Sequence, residues 1–332
     1  MFESGTNQFV FLNGQNVKIC SFLAADNFNS MCYFYSIFCL VVRSAVVLPA
    51  VTVVSSEKNT VPDVFIEYGL TPASLTNPRF SAAWFQADFG EFLLTIQGVA
   101  RYYIQNGCRI TITPEEGADE DEIILFLMGS AIGALLNQRN VLVLHAGAIV
   151  VNGRGTIFLG PSGIGKSTLT AGLHKRGYSF LADDVCAITL INGIPTVIPG
   201  FPRLKLWTDV MNRLNTDRKD LKCIRGSQGL EKYLLPVEHA QDAPVPLGMV
   251  YGIEAAEVEA IQILPLKGAE KINLLLANTY RFEFLQGQGR TAFHFQQCAD
   301  IGTKIAVYRI IRPFNTFLLE ELMNLLEENF QK

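Results

Sequence analysis

The sequence predicts an α/β fold in which a strand-rich α+β N-terminal domain precedes a domain built around a glycine-rich loop. Three observations lead to this prediction. Apolar, β-rich runs and Asn-Gly turns dominate the first part of the chain. The segment GPSGIGKS, at residues 160–167, lies between an apolar run and a segment of helical periodicity. Two acidic residues then follow a short strand-like run. We place the domains at residues 1–115 and 141–332, with a connecting core helix at residues 116–140.

The composition is that of a globular protein with room for two domains. The 332 residues are 49% hydrophobic and 17% charged. The net charge of −4 gives no support for nucleic-acid binding. Seven cysteines form no C-x-x-C pair, and the first residues lack the basic start and apolar core of a signal peptide. We therefore expect a cytoplasmic protein with reduced thiols.

The N-terminal domain shows the patterns of strands joined by short turns. Residues 31–50 are almost entirely apolar, but Arg43 interrupts them and their aromatic and β-branched content favours buried strands over membrane insertion. Asn13-Gly14 predicts a hairpin. Asn106-Gly107 predicts another, between a long strand at residues 92–105 and a shorter one at residues 108–113.

The connecting segment has the pattern of a core helix. Acidic residues at positions 115–122 precede an apolar run at residues 123–136, and acids at a helix start are favoured by the helix dipole. The run is too short to span a bilayer. Gly129 and Gly133 would allow another element to pack closely against this helix.

The glycine-rich loop fits the pattern G-x-x-x-x-G-K-[ST], which is typical of loops that bind a nucleoside triphosphate. Glycines let the backbone wrap around an anion, and the start of the following helix adds positive potential. In this pattern Lys166 reaches the outer phosphates and Ser167 binds Mg²⁺. The residues expected to bind the nucleotide are Gly160, Pro161, Ser162, Gly163, Ile164, Gly165, Lys166, Ser167 and Thr168.

Polar residues also follow two strand-like runs near this loop. His145 ends the run at residues 141–144, and Asp183 and Asp184 follow the run at residues 178–182. Because ligands bind at the carboxyl ends of strands in α/β sheets, we expect these side chains to meet at the loop. Phosphoryl transfer needs a metal-binding oxygen and a group that orients or deprotonates the acceptor. We assign Asp183 to the metal with Ser167, and leave open which aspartate is the base.

A basic segment follows at residues 203–232, where basic residues outnumber acidic ones. Such a segment could contact a phosphate or an acidic peptide, and a solvated surface loop is the alternative interpretation. The candidate phosphate or substrate contacts are Arg203, Lys205, Arg225 and Lys232.

These residues resemble the HPr serine kinase/phosphatase family. The resemblance rests on His145-Ala146-Gly147, on the glycine-rich loop, on the Arg-Gly pair at residues 176–177 and on Ala182-Asp183-Asp184. It implies a P-loop kinase domain of the HPr kinase/phosphoenolpyruvate carboxykinase type that uses ATP and Mg²⁺. It also implies that His145 assists at the nucleophile, that Lys166 binds phosphates and that the aspartate pair contains the general base.

The chain departs from that family at its Glu-Ile-Arg-Gly-Leu-Gly signature. The nearest fragment, at residues 224–226, lacks the preceding Glu. Residues 203–207, residues 231–233 and the strand-rich N-terminal domain instead resemble the HPr-kinase-like proteins of lasso-peptide gene clusters. Those enzymes phosphorylate a serine at the C-terminal end of a ribosomal precursor peptide. The resemblance therefore implies a serine kinase whose partner is a precursor peptide.

Other functions stay open on the sequence. One is a kinase of HPr or of a small-molecule hydroxyl, and another is a non-catalytic module that binds a peptide under the control of a nucleotide. A guanine-reading Asn-Lys-x-Asp motif, which a regulatory GTPase would need, does not occur in the chain. The sequence leaves the oligomeric state open, with a homo-oligomer as one alternative.

Overall fold

A computed structural model of the protein describes residues 7–12, 15–20, 32–49, 51, 53, 61–213, 221–225, 231–238, 240–314 and 318–331. These residues form a mixed α/β protein. The strands are β1 (Asn7–Leu12), β2 (Gln15–Cys20), β3 (Tyr33–Ile37), β4 (Leu40–Ser44), β5 (Val64–Tyr68), β6 (Phe80–Ser81), β7 (Phe85–Asp88), β8 (Glu91–Ile96), β9 (Ala100–Gln105), β10 (Arg109–Pro114), β11 (Leu142–Leu144), β12 (Ala146–Val151), β13 (Arg154–Leu159), β14 (Ser179–Asp183), β15 (Cys186–Ile191), β16 (Ile194–Ile198), β17 (Arg203–Trp207), β18 (Lys222–Arg225), β19 (Glu231–Pro236), β20 (Val245–Ala256), β21 (Gln262–Pro265) and β22 (Ala306–Pro313). The helices are α1 (Glu120–Phe126), α2 (Ile132–Gln138), α3 (Lys166–Lys175), α4 (Thr208–Arg213), α5 (Ala269–Ala277), α6 (Phe282–Gly287), α7 (Thr291–Lys304) and α8 (Leu319–Asn329).

The N-terminal part contains an eight-stranded sheet in the order β3-β4-β5-β10-β9-β8-β7-β6. The apolar run at residues 31–50 contributes the hairpin β3–β4, with Tyr35 and Val42 buried, which confirms the strand prediction. The single long strand expected at residues 92–105 is wrong. The chain turns between β8 and β9, where Gly98 adopts a φ of 76° that glycine tolerates and most residues avoid.

The connecting segment is helical from α1 through α2, but a π-helical turn, Leu127–Ala131, interrupts it. Asp119 caps the start by accepting a hydrogen bond from the Asp121 amide at 2.9 Å. The close packing expected at the two glycines is present, since a Cβ at Gly133 would lie 2.8 Å from Cε1 of Tyr280. The ring of Tyr280 therefore packs directly on the helix backbone.

The second large sheet has nine strands and carries the glycine-rich loop. Strands β13, β20 and β22 are parallel neighbours, while β12 runs antiparallel between β13 and β14. Strands β13, β14, β20 and β22 therefore all end at the same edge of the sheet, where β12 begins. Two antiparallel hairpins belong to this sheet, β12–β13 and β15–β16, and Asn-Gly pairs at residues 152–153 and 192–193 form their turns.

Helices cover both faces of this sheet. On one face, Leu169 of α3 and Leu322 of α8 pack with Phe158. On the other face, Ile157 packs with Leu275 of α5 and with side chains of α7. Because successive residues of a strand point to opposite faces, the neighbours Ile157 and Phe158 contribute to two different cores.

A small sheet in the order β17-β19-β18 packs beside α3 and β14. Leu204 and Leu206 of β17 join Phe180 of β14 and Ala171 of α3 in one buried cluster. The residues of β17 that alternate with these two leucines therefore lie next to the end of β14. Among the helices that the structure describes, none is both long and apolar enough to cross a membrane.

His294 on α7 is a buried histidine whose packing makes a prediction about stability. It is 2% exposed, and burial lowers its pKa from 6.5 to about 4. A neutral buried imidazole stabilises the fold above the unfolded pKa, and this contribution is lost as the pH falls from 6.5 towards 4. We expect the free energy of unfolding to fall by about 2 kcal/mol between pH 7.5 and pH 5 through this residue.

Urea unfolding at the two pH values measures this change. The His294→Gln variant should lose most of this pH dependence, whereas the His174→Gln control on α3 should keep it. An equal pH dependence in wild type and His294→Gln would contradict the prediction.

Candidate active site

A cleft of about 250 Å³ lies at the edge where β13, β14, β20 and β22 end. The sheet order divides its walls, because β14 lies on one side of the glycine-rich loop and β20 and β22 lie on the other. We call the first wall the polar side and the second the apolar side. The polar side is lined by His145, Asp183, Asp184, Lys205, Leu206, Trp207 and Val210. The apolar side is lined by Ile253, Ile261, Leu318, Leu319 and Leu322, with Arg312 among them.

The register of β12 brings the polar groups to the loop. Ala146, the first residue of β12, pairs with Leu159 at the end of β13, and Gly147 pairs with Asp183 at the end of β14. His145 therefore lies at the level where the loop begins. As the sequence predicts, His145 directly follows a strand, β11 (Leu142–Leu144). It also directly precedes β12, a strand antiparallel to β13 and β14.

Close packing under the loop requires glycine at two positions. A Cβ at Gly147 would lie 2.2 Å from Oγ1 of Thr170 on α3, so the helix sits directly on β12. Gly160 has a φ of 144°, and a Cβ there would lie 2.6 Å from the main-chain oxygen of Ile253. The loop therefore begins in tight contact with the end of β20.

Lys166 at the start of α3 is 6% exposed and turns back onto the loop. Its Nζ donates to the main-chain oxygens of Gly160 at 2.7 Å and Pro161 at 3.0 Å. Residues 162–168 line the cleft, whereas Gly160 and Pro161 are outside its lining and bond this lysine through their main-chain oxygens. The helix N-terminus and the ammonium group together make the floor of the cleft electropositive.

Asp183 ends β14 and contacts both the loop helix and β17. Its Oδ1 accepts a hydrogen bond from Oγ of Ser167 at 2.8 Å, and its Oδ2 accepts one from the Lys205 amide at 3.0 Å. Burial, together with the neighbouring Asp184 carboxylate, raises the pKa of Asp183 above its usual range, and the two hydrogen bonds oppose this rise.

Asp184 faces the cleft because the strand ends before it. Its φ of 72° turns the chain, so the two adjacent carboxylates escape the alternation that would send them to opposite faces of a strand. Oδ2 forms an ion pair with Lys205 Nζ, and Oδ1 lies 3.1 Å from Nδ1 of His145. Although burial raises the pKa of Asp184, Lys205 and then His145 outweigh it and hold that pKa well below its usual range.

The four basic residues that the sequence suggests as phosphate or substrate contacts lie in different environments. Lys205 lines the cleft, but Arg203 is buried, with Nη1 3.2 Å from Sδ of Met128, so it makes no wall of the cleft. Burial lowers the pKa of Arg203 to about 10, against the attraction of Asp184 and Asp183. The backbones of Arg225 and Lys232 lie in the small sheet, while their side chains and residues 226–230 lie outside the described part of the chain.

Sequence reasoning missed several residues that the structure brings to the site. Nη2 of Arg312 donates to the main-chain oxygen of Ile164 in the loop at 3.2 Å. Tyr280 lies behind His145, with ring centroids 6.3 Å apart. Oδ1 of Asn278 accepts a hydrogen bond from the Gly160 amide at 2.8 Å. These residues are more than 100 positions from the loop and follow no motif, so no local sequence signal could have found them.

Comparisons with known proteins assign this chain to no family. No protein-family model matches the chain, and no curated protein matches it. Among solved structures, it is similar to the HPr(Ser) kinase/phosphatase from Coxiella burnetii, at 14% sequence identity and a TM-score of 0.30. The match covers 57% of this chain and 95% of that one. A likeness of this size carries no conclusion about activity, so the fold and site above rest on the chain's own contacts.

The ion pair at Asp184 makes a prediction that requires no ligand. Lys205→Met removes the strongest attraction on the Asp184 carboxylate while leaving the Lys205 amide free to bond Asp183. We expect the pKa of Asp184 to rise, as measured by NMR titration of the side-chain carboxyl carbon. The Lys271→Met control removes an ammonium that bonds the Ile305 main chain outside the cleft. An unchanged Asp184 titration in Lys205→Met would contradict the assigned contact.

Proposed function

We propose that this protein is a kinase that transfers the γ-phosphate of ATP to a serine hydroxyl of a peptide. The observation that carries the proposal is the Ser167–Asp183 hydrogen bond of 2.8 Å, which joins the loop to the aspartate pair in one cleft. Phosphoryl transfer requires phosphate-binding groups, a metal-binding oxygen and an acceptor-orienting carboxylate within reach of one another.

The loop and the apolar side fit the two ends of a nucleotide. Glycines at positive φ, the buried Lys166 and the start of α3 suit a polyphosphate. Ile253, Ile261 and Leu318 offer an apolar surface to the base, since flat ligand rings are held by apolar walls with few polar groups. This orientation directs the terminal phosphate towards Asp183 and Asp184.

The residues present also fit Mg²⁺. Ser167 Oγ and the Asp183 carboxylate are hard oxygen donors in contact with each other, and Mg²⁺ commonly uses one or two protein oxygens with substrate phosphates. Within the described residues, no group of three or more His, Cys, Asp and Glu side chains could hold a metal ion. When bound, Mg²⁺ supplies charge neutralisation on the phosphates.

We assign the role of general base to Asp184. Asp183 is already engaged by Ser167, whereas Asp184 faces His145 and Lys205 at the cleft. Lys205 bonds to the carboxylate in the structure, and an incoming phosphate offers it a second anionic partner. Movement of Lys205 to the phosphate raises the basicity of Asp184, which then accepts the proton of the acceptor hydroxyl while His145 holds the carboxylate in place.

The proposal also specifies that the acceptor of the phosphate is a peptide. It is supported by the resemblance of residues 203–207 and 231–233 to the kinases of lasso-peptide gene clusters. In this structure those residues form β17 and the first half of β19. β17 lines the polar side of the cleft, and β19 pairs with β17. A serine at the C-terminal end of a precursor peptide would enter beside Trp207 and Val210.

Substitutions of the three charged groups test the transfer reaction. We expect Lys166→Ala, Asp183→Asn and Asp184→Asn each to lower kcat by about 10²-fold or more with the fold intact, because each removes a group acting on the transferred phosphate or the acceptor proton. The assay uses radiolabelled ATP and a peptide that ends in serine, with circular dichroism as the folding control. Full activity in these variants would contradict the assignment.

The acceptor is identified by a panel of substrates assayed with the wild-type protein. Phosphate transfer to serine peptides and not to free hydroxyl metabolites supports the peptide assignment. Transfer only to metabolites makes the protein a small-molecule kinase. Peptide binding that depends on a nucleotide, without release of ADP, makes it a binding module.

A second substitution tests the apolar side. Leu318→Asp places a carboxylate where the base and ribose would lie, so we expect the KM for ATP to rise about tenfold or more. Leu325→Asp is the matched control, because Leu325 is also a partly buried leucine of this region and lies outside the cleft. Equal KM values for the two variants would place the nucleotide elsewhere.

A further inference from the structure

Asn278 lies just after α5 and contacts the starts of two separate parts of the site. Its side-chain Oδ1 accepts a hydrogen bond from the Gly160 amide at 2.8 Å, where the glycine-rich loop begins. Its main-chain oxygen accepts one from the His145 amide, also at 2.8 Å. One residue therefore bonds the backbone at both the loop and the histidine.

The side-chain amide of Asn278 has a defined orientation. Its Nδ2 donates to the main-chain oxygen of Leu274 at 2.8 Å, and this contact turns Oδ1 towards Gly160. The residues that follow are fixed as well, because Thr279 pairs with Leu144 and the Tyr280 amide donates to Val143 at 2.9 Å. The end of α5 is thus tied to β11 next to the site.

The contact at Gly160 reaches Lys166 through the backbone. The amide of Gly160 bonds to Asn278, its main-chain oxygen accepts from Lys166 Nζ, and its Cα packs on Ile253. Because these three contacts restrain it, Gly160 has little conformational freedom. The position of the Gly160 carbonyl, which accepts a hydrogen bond from Lys166, therefore depends on the side-chain amide of Asn278.

We propose that Asn278 is a positioning residue. It holds the start of the glycine-rich loop, and through it Lys166, in the geometry that nucleotide binding requires. The effect on nucleotide binding rests on the proposed function. The effect on the loop rests on the structure alone. Asn278 touches no reacting atom, so its effect falls on the affinity for ATP and on the local stability of the loop.

Amide hydrogen exchange without ATP, followed by NMR on the full chain, tests the contact directly. In Asn278→Ala we expect Gly160 to exchange about tenfold faster or more, because its acceptor is gone. The His145 amide should stay protected, since its acceptor is the main-chain oxygen. Thr279→Val is the matched control, because its hydroxyl contacts α5 and His294 and not the loop.

Titration with Mg-ATP then tests the consequence for binding. We expect the Kd for ATP to rise about tenfold in Asn278→Ala and to change less than about twofold in Thr279→Val. Unchanged Gly160 exchange in Asn278→Ala, or equal loss of protection at Gly160 and His145, would overturn the positioning role. A wild-type protein that neither binds nor consumes ATP would overturn the proposed function, while the exchange result still decides the Asn278 contact.

Discussion

The register of β12 is the constraint on which the site depends. This strand pairs with β13 on one side and β14 on the other, so that Ala146 faces Leu159 and Gly147 faces Asp183. A shift of one residue would invert the faces of β12 and move its first residue away from both neighbours. The same register requires a glycine at position 147, because α3 packs against it with Thr170. Core packing and assembly of the site are therefore fixed by the same hydrogen bonds.

The two aspartates of the cleft have different charged and polar neighbours. Both carboxylates are partly buried, which by itself raises the pKa of an acid. Asp184 has Lys205 and His145 beside it and stays ionised, whereas Asp183 receives neutral donors from Ser167 and a backbone amide. Two adjacent acids thus acquire different proton affinities, because their environments differ.

Local patterns in the sequence predicted much of the fold and the centre of the site. The Asn-Gly turns, the helix after the loop and the strand before Asp183 all depend on residues close in the chain, where turn chemistry and periodicity act directly. The Gly98 turn was missed because the apolar residues on both sides continue a strand pattern. The π-helical turn Leu127–Ala131 was missed because its sequence is compatible with an ordinary helix. Arg203 looked like a contact at the site and is instead buried against Met128.

The amino-acid sequence alone predicts a glycine-rich loop between a strand and a helix, with a histidine before it and an aspartate pair after it. How these parts meet depends on the three-dimensional fold. Only the end of β14 and the positive φ of Asp184 turn both carboxylates to one cleft. Only the fold brings Asn278 to Gly160 across 118 positions of sequence. The reason is that a motif depends on the geometry of neighbouring residues, whereas contacts between distant segments depend on how sheet register and core packing fix the whole chain.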